Sequence, residues 1–470
     1  MKKQIFTLVI VFLFSTVQVL SQDKPNNLVL KRVNVIPMDR EVILENQAVL
    51  IKNGVIAEIK PFDEIVIPEG VKIIDAKHGY LIPGLTDMHM HLISDDRIPK
   101  HFAKHELPIP VTFGVARARI PIGRIEHLEL KEQIEDGQLI GPELHVAGHV
   151  AEFMFNEHTE GIKVSTQNEA RAAVRQLKRE GYESIKITFV FSEELFNAIT
   201  DEAKKVGLQV FGHVPEEVGI RKAIASGYHI EHLDQYFEDM LPDSIELRSV
   251  SGIGLVRNQG YLDFLTQKKM SNLAQLTAKA KVWNTPTNAF FIRAFGLGFD
   301  NAEYWDNPGY RFLPPDVIDE LIPQFYWENP PDETERNLFI KRRLEFVKAL
   351  HDAGAGLLAG SDSPEGVLLY GYGLHYELQR FVEAGLTPFE ALKTATVNPA
   401  IFISKAGEFG SIVQDAKADL VLLEKNPLED ISNIQSIKGV ILKGTWFSLQ
   451  ELLQIRKASY EKLSESALRD

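Results

Sequence analysis

Beyond residue 27 the chain opens with short runs in which apolar and polar positions roughly alternate. "LVLKRVNVI" (28–36), "AVLIKNGVIAEI" (48–59) and "VKIIDAKHGYLI" (71–82) are rich in β-branched residues, and Lys52-Asn53-Gly54 supplies turn chemistry. A period of two with such turns predicts strands joined by hairpins. The same texture returns in "ADLVLLEKN" (418–426) and "IKGVILKGTWF" (437–447). Two β-rich ends around a different middle predict one small β-sandwich built from both ends, residues 22–80 and 406–449. A helical tail is expected over 450–470.

The middle, 81–405, alternates between two periods. "SIKITFV" (184–190), "LQVFGHV" (208–214) and "YHIEHL" (228–233) read as strands. "SEELFNAITDEAKKVG" (192–207) and "EEVGIRKAIASG" (216–227) read as helices, each ended by glycine. Thr166–Glu169 and Thr387–Glu390 are capping boxes, the second with Pro388 at the first helical position. Repeating βα units predict a (β/α)8 TIM-like barrel, in the α/β class. A doubly wound open sheet is the structural alternative, although no glycine-rich phosphate fingerprint follows these strands.

The first 21 residues differ from the rest. Lys2 and Lys3 precede an apolar stretch from Ile5 to about Leu20, and Val19 and Ser21 are small enough to flank a cleavage point. The apolar run falls short of the roughly 20 residues a spanning helix needs. An export signal cut near Ser21-Gln22 is expected, with an uncleaved anchor as the alternative. The mature protein is then periplasmic or secreted, with no stable membrane insertion. Removing residues 1–21 takes away two lysines and no acids, so the formal charge of −14 becomes −16. Such an acidic chain has no electrostatic reason to bind nucleic acid. The chain has no cysteine, so any transition metal must be held by histidine or carboxylate groups.

Candidate ligands sit at the predicted strand ends. In "LTDMHMH" (85–91), His89 and His91 are two residues apart, which on a strand points both to one face and Met88 and Met90 to the other. His213 lies near the end of "LQVFGHV", His232 ends "YHIEH", and Asp362 closes the largely apolar "GLLAGSD" (356–362). Each alone is more often a structural residue. Together they point to a metal site, because barrel enzymes place their chemistry at the C-terminal strand ends. Lys186 lies inside "SIKITFV" between Ile185 and Ile187, which face the other way. A lysine turned into a barrel core is costly unless it is paired or neutralised. It forms either an ion pair with a carboxylate or, by adding carbon dioxide, an anionic carbamate able to bridge two cations.

This pattern resembles the amidohydrolase superfamily, in its imidazolonepropionase-like and prolidase-like branch. The matching segments are "GYLIPGLTDMHMHL" (79–92), "GYESIKI" (181–187), "GHV" (212–214), "GYHIEHL" (227–233), "AGSDS" (359–363), "ELQRFVEAGLTPFEALKTATVNPA" (377–400) and "GSIVQDAKADLVLLEKNPLEDI" (410–431). The resemblance implies a metal-centred barrel with two divalent ions, zinc suiting the N/O donors. It implies that His89 and His91 bind the more buried ion, that a carboxylated Lys186 bridges, and that His213 and His232 bind the second. Asp362 would contact the first ion and move the water proton. Two segments depart from the branch: "PVTFGVARARI" (110–120) lacks a Thr-Thr-Val-Arg-Asp run, with Arg117 and Arg119 nearby, and "AEFMFNEHTEG" (151–161) keeps only His158 and Gly161 of a Gly-Gly-His-Gly segment.

The implied function is metal-dependent hydrolysis of a C–N amide bond, with dipeptides or N-acyl amino acids as favoured substrates. Opening of a cyclic amide or lactone is the second reading, and a non-catalytic metal-binding barrel a third, of another class. The long connection 233–356 carries Trp283, Trp305 and Trp327 with Phe290, Phe291, Phe295, Phe299, Tyr304, Tyr310, Phe325 and Tyr326. It reads as a lid that walls an apolar pocket, or as a segment packed on itself. Tyr228, His158 and His375 are weaker candidates for substrate contact. A homo-oligomer is left open.

Overall fold

The Asn53-Gly54 turn forms as its residues require. Both adopt positive φ, +53° and +77°, and they join antiparallel β2 (Leu44–Lys52) to β3 (Val55–Pro61) with Lys52 opposite Val55. In this computed structural model the described residues are 27–95, 100–152, 161–242, 259–297 and 332–465, with isolated positions 245, 313, 315, 317 and 318. β1 (Leu28–Val35) pairs with β2 on one side. On its other side it pairs with β4 (Lys72–Asp75) and then β5 (Tyr80–Pro83). The expected single run over 71–82 is therefore two strands, interrupted where Lys77 and His78 take positive φ.

A second sheet begins immediately after β5. Its strands are β6 (Leu85–Asp87), β7 (Val115–Gly123), β8 (Glu143–Ala151), β10 (Ser184–Ile187), β11 (Gln209–Gly212), β12 (His229–Glu231), β13 (Trp283–Thr285) and β14 (Gly356–Leu357). These eight run parallel in chain order, and short β9 (Ile162–Lys163) pairs with β8. The ends meet. The Met88 amide donates to the Ala359 carbonyl at 2.8 Å, the Asp362 amide to His89 at 2.8 Å and the His91 amide to Ser363 at 2.7 Å. Those bonds close the sheet into a barrel and remove the open-sheet alternative. Helices lie between the strands: Glu193–Val206 ends at Gly207 in the left-handed region, and both expected capping boxes are present.

β15 (Leu420–Leu423), β16 (Ile437–Leu442) and β17 (Thr445–Ser448) then return to the first sheet, β15 lying antiparallel to β5. Both chain ends thus build one sheet, with a core of its own including Leu30, Val35, Val49, Leu81, Leu420 and Ile441. Arg117 joins the two parts at the barrel base, donating to Asp419 at 2.5 Å and Glu143 at 3.2 Å. The final helix, Leu449–Ser464, is anchored by Arg456, which donates to the Thr112 carbonyl at 2.8 Å and stacks over Phe113.

Several elements are shorter than their patterns suggest. β10, β11 and β12 stop at Ile187, Gly212 and Glu231, so His213 and His232 lie just past the last paired residue. The seventh strand is hidden inside the connection read as a lid. Trp283 is its first residue, packs beside Phe402 at 5.9 Å and leaves the set of pocket aromatics. Residues 1–26, with the expected export signal, lie outside the described residues, as do Trp305, Trp327, Phe299, Tyr304, Tyr310, Phe325, Tyr326 and His158; the side chain of Phe295 is likewise undescribed. Among the described residues no helix is long and apolar enough to cross a membrane.

Candidate metal centre

β6 ends at Asp87, which holds both His89 just beyond it and Ser361 near the last strand end. Its Oδ1 accepts the amides of His89 at 3.1 Å and Ser361 at 3.0 Å, and its Oδ2 accepts the Ser361 hydroxyl at 2.5 Å. One buried carboxyl thereby ties the first strand end to the last. Burial pushes it up to about 6, against the pull of these hydrogen bonds. Gly360 permits the close approach, since a Cβ there would lie 2.5 Å from Thr285 and 2.8 Å from His89 Cβ. Asp362 follows with φ +57°, a left-handed backbone that an L-residue keeps only when its surroundings hold it there.

The result is a convergence of donors. His89 Nε2 and His91 Nε2 are 3.2 Å apart, and Asp362 Oδ1 lies 3.3 Å and 3.4 Å from them. One ligand atom from each of these three residues falls within 4.8 Å of the others, a geometry able to hold one metal ion. Although burial opposes it, the surrounding His89, His91 and Lys186 hold the Asp362 carboxyl below its usual range.

The other predicted ligands line the same cavity. His232 Nδ1 is 3.5 Å from Asp362 Oδ2, and the His232 ring stands 4.7 Å from the rings of both His89 and His213. Lys186 is buried, 5.7 Å from the Phe211 ring, and among the described residues no carboxylate lies within ion-pair distance of its amine. Among the described residues the ion-pair alternative for this lysine is not realised. Burial pushes its amine down, with Glu231 and Asp362 opposing and Arg119 reinforcing. Gly212 makes room for it: at φ +138°, a Cβ would sit 2.3 Å from the Ile187 carbonyl and 2.8 Å from Lys186 Cδ.

Three of the imidazoles use Nδ1 for a protein partner. His89 Nδ1 bonds Glu231, His213 Nδ1 bonds Asp234 at 2.6 Å, and His232 Nδ1 bonds Thr287 at 2.8 Å. For His89 and His213 the carboxylate partner leaves the lone pair on Nε2, whereas the Thr287 hydroxyl can serve either tautomer of His232. Burial holds all three histidines below their ordinary range, hence neutral, which is the state that ligates a metal.

Of the weaker candidates, Tyr228 and His375 are among the described residues. Tyr228 is buried and donates to the His213 carbonyl at 2.8 Å, so it supports a candidate ligand from behind. His375 contacts the Phe113 carbonyl at 2.8 Å on the helix Tyr372–Glu383, and burial pushes it down to about 4. It is not brought together with the cluster. Arg117 sits at the barrel base, whereas Arg119 turns inward to Glu231 at 2.7 Å. Sequence reasoning passes over Asp87, Glu231, Asp234 and Thr287. Only Glu231 carries a signal, a carboxylate between two histidines in "HIEH".

Comparison with known proteins accords with this geometry. The amidohydrolase family profile matches residues 80–447. The ochratoxinase of Aspergillus niger is 24% identical over 467 aligned residues, covering 86% of this chain and 83% of that protein. Among solved structures, bottromycin amidohydrolase superposes with a TM-score of 0.70 at 19% identity, covering 94% of this chain and 91% of its own. A Xaa-Pro dipeptidase with bound methionine in its active site superposes with a TM-score of 0.63 at 19% identity, covering 90% and 100%. At these identities the structural likeness speaks for the fold.

Proposed function

The chain belongs to the amidohydrolase family and is a hydrolase of carbon–nitrogen bonds, and from that premise we propose that it cleaves dipeptides or N-acyl amino acids at a two-metal centre. In this reading His89 and His91 would hold the more buried ion and His213 and His232 the second, with Lys186, as a carbamate, serving as a ligand to both. Divalent ions bound there, zinc being the best match to the donors, would supply an activated water near neutral pH and polarise a carbonyl oxygen. The carrying observation is the convergence of His89, His91 and Asp362 within 4.8 Å.

The remaining residues supply positioning and proton transfer. His89, His91 and Lys186 hold the Asp362 carboxyl below its usual range against its burial, and in this reading it would take a water proton and return it to the leaving nitrogen. Burial pushes the Lys186 amine below its ordinary range, the direction that favours carbamate formation, with no competing carboxylate in contact among the described residues. Phe189 and Val190 lie just beyond β10, 39% and 46% exposed, and the Phe189 ring stands 4.3 Å from that of His213. With Phe291 at 5.6 Å from His232, they favour a substrate carrying an apolar group beside the scissile bond. The dipeptidase among the structural neighbours supports short peptides, and an export signal over 1–21 would suit nutrient scavenging outside the cytoplasm.

Elemental analysis of the purified protein, followed by a panel of dipeptides, N-acyl amino acids, cyclic amides and lactones, tests the reading. Bound metal with turnover of the first two classes is expected. Preference for the ring substrates would favour the second reading. Protein without metal or turnover would sink the enzymatic one.

A further inference from the structure

Glu231 occupies a position that no ligand assignment requires. It is 1% exposed, at the C-terminal end of β12 and directly before His232. In a regular strand, consecutive side chains would face opposite sides. His232 has φ +61°, and this left-handed turn allows both residues to serve one cavity. Glu231 Oε2 takes the hydrogen bond of His89 Nδ1. Its Oε1 accepts Arg119 Nη2 at 2.7 Å and the Thr285 hydroxyl at 3.0 Å.

Arg119 completes the frame. It is fully buried, stacks over Phe211 at 3.8 Å and donates through Nε to the Met88 carbonyl at 2.6 Å. Met88 immediately precedes His89, so the guanidinium grips the backbone of the histidine segment while pairing with the carboxylate that holds the ring. Arg119 comes from β7, Glu231 from β12 and Thr285 from β13, and the frame closes on the segment that follows β6.

We propose that Glu231, backed by Arg119, is the positioning residue of the buried metal site: it fixes the ring orientation of His89 and the tautomer that presents Nε2, and thereby sets that site's metal affinity and geometry. The inference rests on the two-metal reading above. A metal-ligating imidazole is neutral and offers one nitrogen to the ion. A carboxylate oxygen on Nδ1 selects the tautomer with the proton on that side. The lone pair is then left on Nε2, which faces His91 and Asp362 at 3.2 and 3.3 Å. Both Glu231 oxygens act as acceptors, so an amide cannot replace the carboxylate without conflict. Its NH2 group must face either His89 Nδ1–H or the donors of Arg119 and Thr285.

The test measures Zn2+ affinity by competition with a chromogenic chelator, and the visible absorption of the Co2+-loaded protein, for wild type, Glu231→Gln and Glu231→Asp. Circular dichroism in excess chelator checks that each variant folds. Glu231→Gln should weaken the tighter-held Zn2+ by about 10- to 100-fold and alter the Co2+ spectrum. Glu231→Asp, which keeps an acceptor on a shorter arm, should recover part of the loss. If Glu231→Gln does not fold, Glu231→Asp decides alone, by weakened Zn2+ binding and a shifted Co2+ spectrum. Wild-type affinity and spectrum in every variant that folds would overturn the positioning role while leaving the metal centre intact. A wild-type protein that binds neither ion would overturn both.

Discussion

Replacing Glu377 with glutamine should make the protein more resistant to unfolding, and increasingly so as pH rises. Glu377 is fully buried in the helix Tyr372–Glu383, and its Oε2 accepts the Ala289 amide at 2.5 Å. Among the described residues its Oε1 has no hydrogen-bond partner. Burial pushes the carboxyl from 4.5 up to about 8, against the opposing pull of the Ala289 and Asn288 amides and Arg343. The folded protein therefore keeps a proton that the unfolded chain releases above its own pKa. Because the unfolded state binds fewer protons over that window, stability falls as pH rises through it, by about 1.4 kcal/mol per unit. From 4.5 to about 8 the loss sums to roughly 5 kcal/mol at most, and it levels off above. Glutamine has nearly the same shape, can still accept from Ala289 and cannot ionise. Urea midpoints for both proteins at pH 5, 6, 7 and 8, at fixed metal concentration and with equal slopes, measure the difference. The variant's advantage should grow by about 1.4 kcal/mol per unit and flatten above pH 8. A difference that does not vary with pH, or that shrinks as pH rises, would refute the reasoning.

Other substitutions report on the centre itself. Asp362→Asn should retain bound metal on elemental analysis but lose turnover by about 10²-fold or more, the usual worth of a positioned proton carrier; retained activity would mean that another group moves the proton. Lys186→Ala should lose metal, with recovery on adding a short carboxylic acid that fills the carbamate's place; metal content equal to wild type would remove the bridging role. Phe189→Ser should raise KM several-fold for substrates with an aromatic group and spare small polar ones, in line with part of the roughly 2 kcal/mol that burying an aromatic side chain contributes. Wild-type protein that turns over both kinds equally would contradict the apolar wall.

The candidate ligands are legible in the chain alone because their signal is local. His89 and His91 share a period of two, His213 and His232 close apolar runs, and a lysine flanked by Ile185 and Ile187 is conspicuous in a strand. Their convergence in the fold, with His232 Nδ1 3.5 Å from Asp362, follows from strand ends meeting at one face of the barrel. His375 is less legible, a weaker candidate for substrate contact whose structural reading has at least equal local support. It stands out as a histidine in "GYGLHYEL", yet it bonds the Phe113 carbonyl, and the ionisable group with the larger consequence on that helix is Glu377 two residues on. The seventh strand gives no local sign either, since Trp283–Thr285 is too short to show a period and sits in an aromatic-rich connection.

Alternation of strand and helix, the kinship of the two β-rich ends and the residue types able to hold a metal are all carried by the chain's own order of residues. They are written in periodicities and caps, which depend on neighbours within a few positions. Three-dimensional closure decided the rest: which partner each imidazole takes, that Asp87 pins Ser361 from 274 positions away, and that Arg119 reaches Glu231 across 112. Such contacts join strands that hydrogen-bond ladders bring together, and no local pattern encodes them. Backbone reversal at His232 and Asp362 belongs to the same class. Positive φ at those residues runs against intrinsic preference, and the closed barrel around them holds it in place.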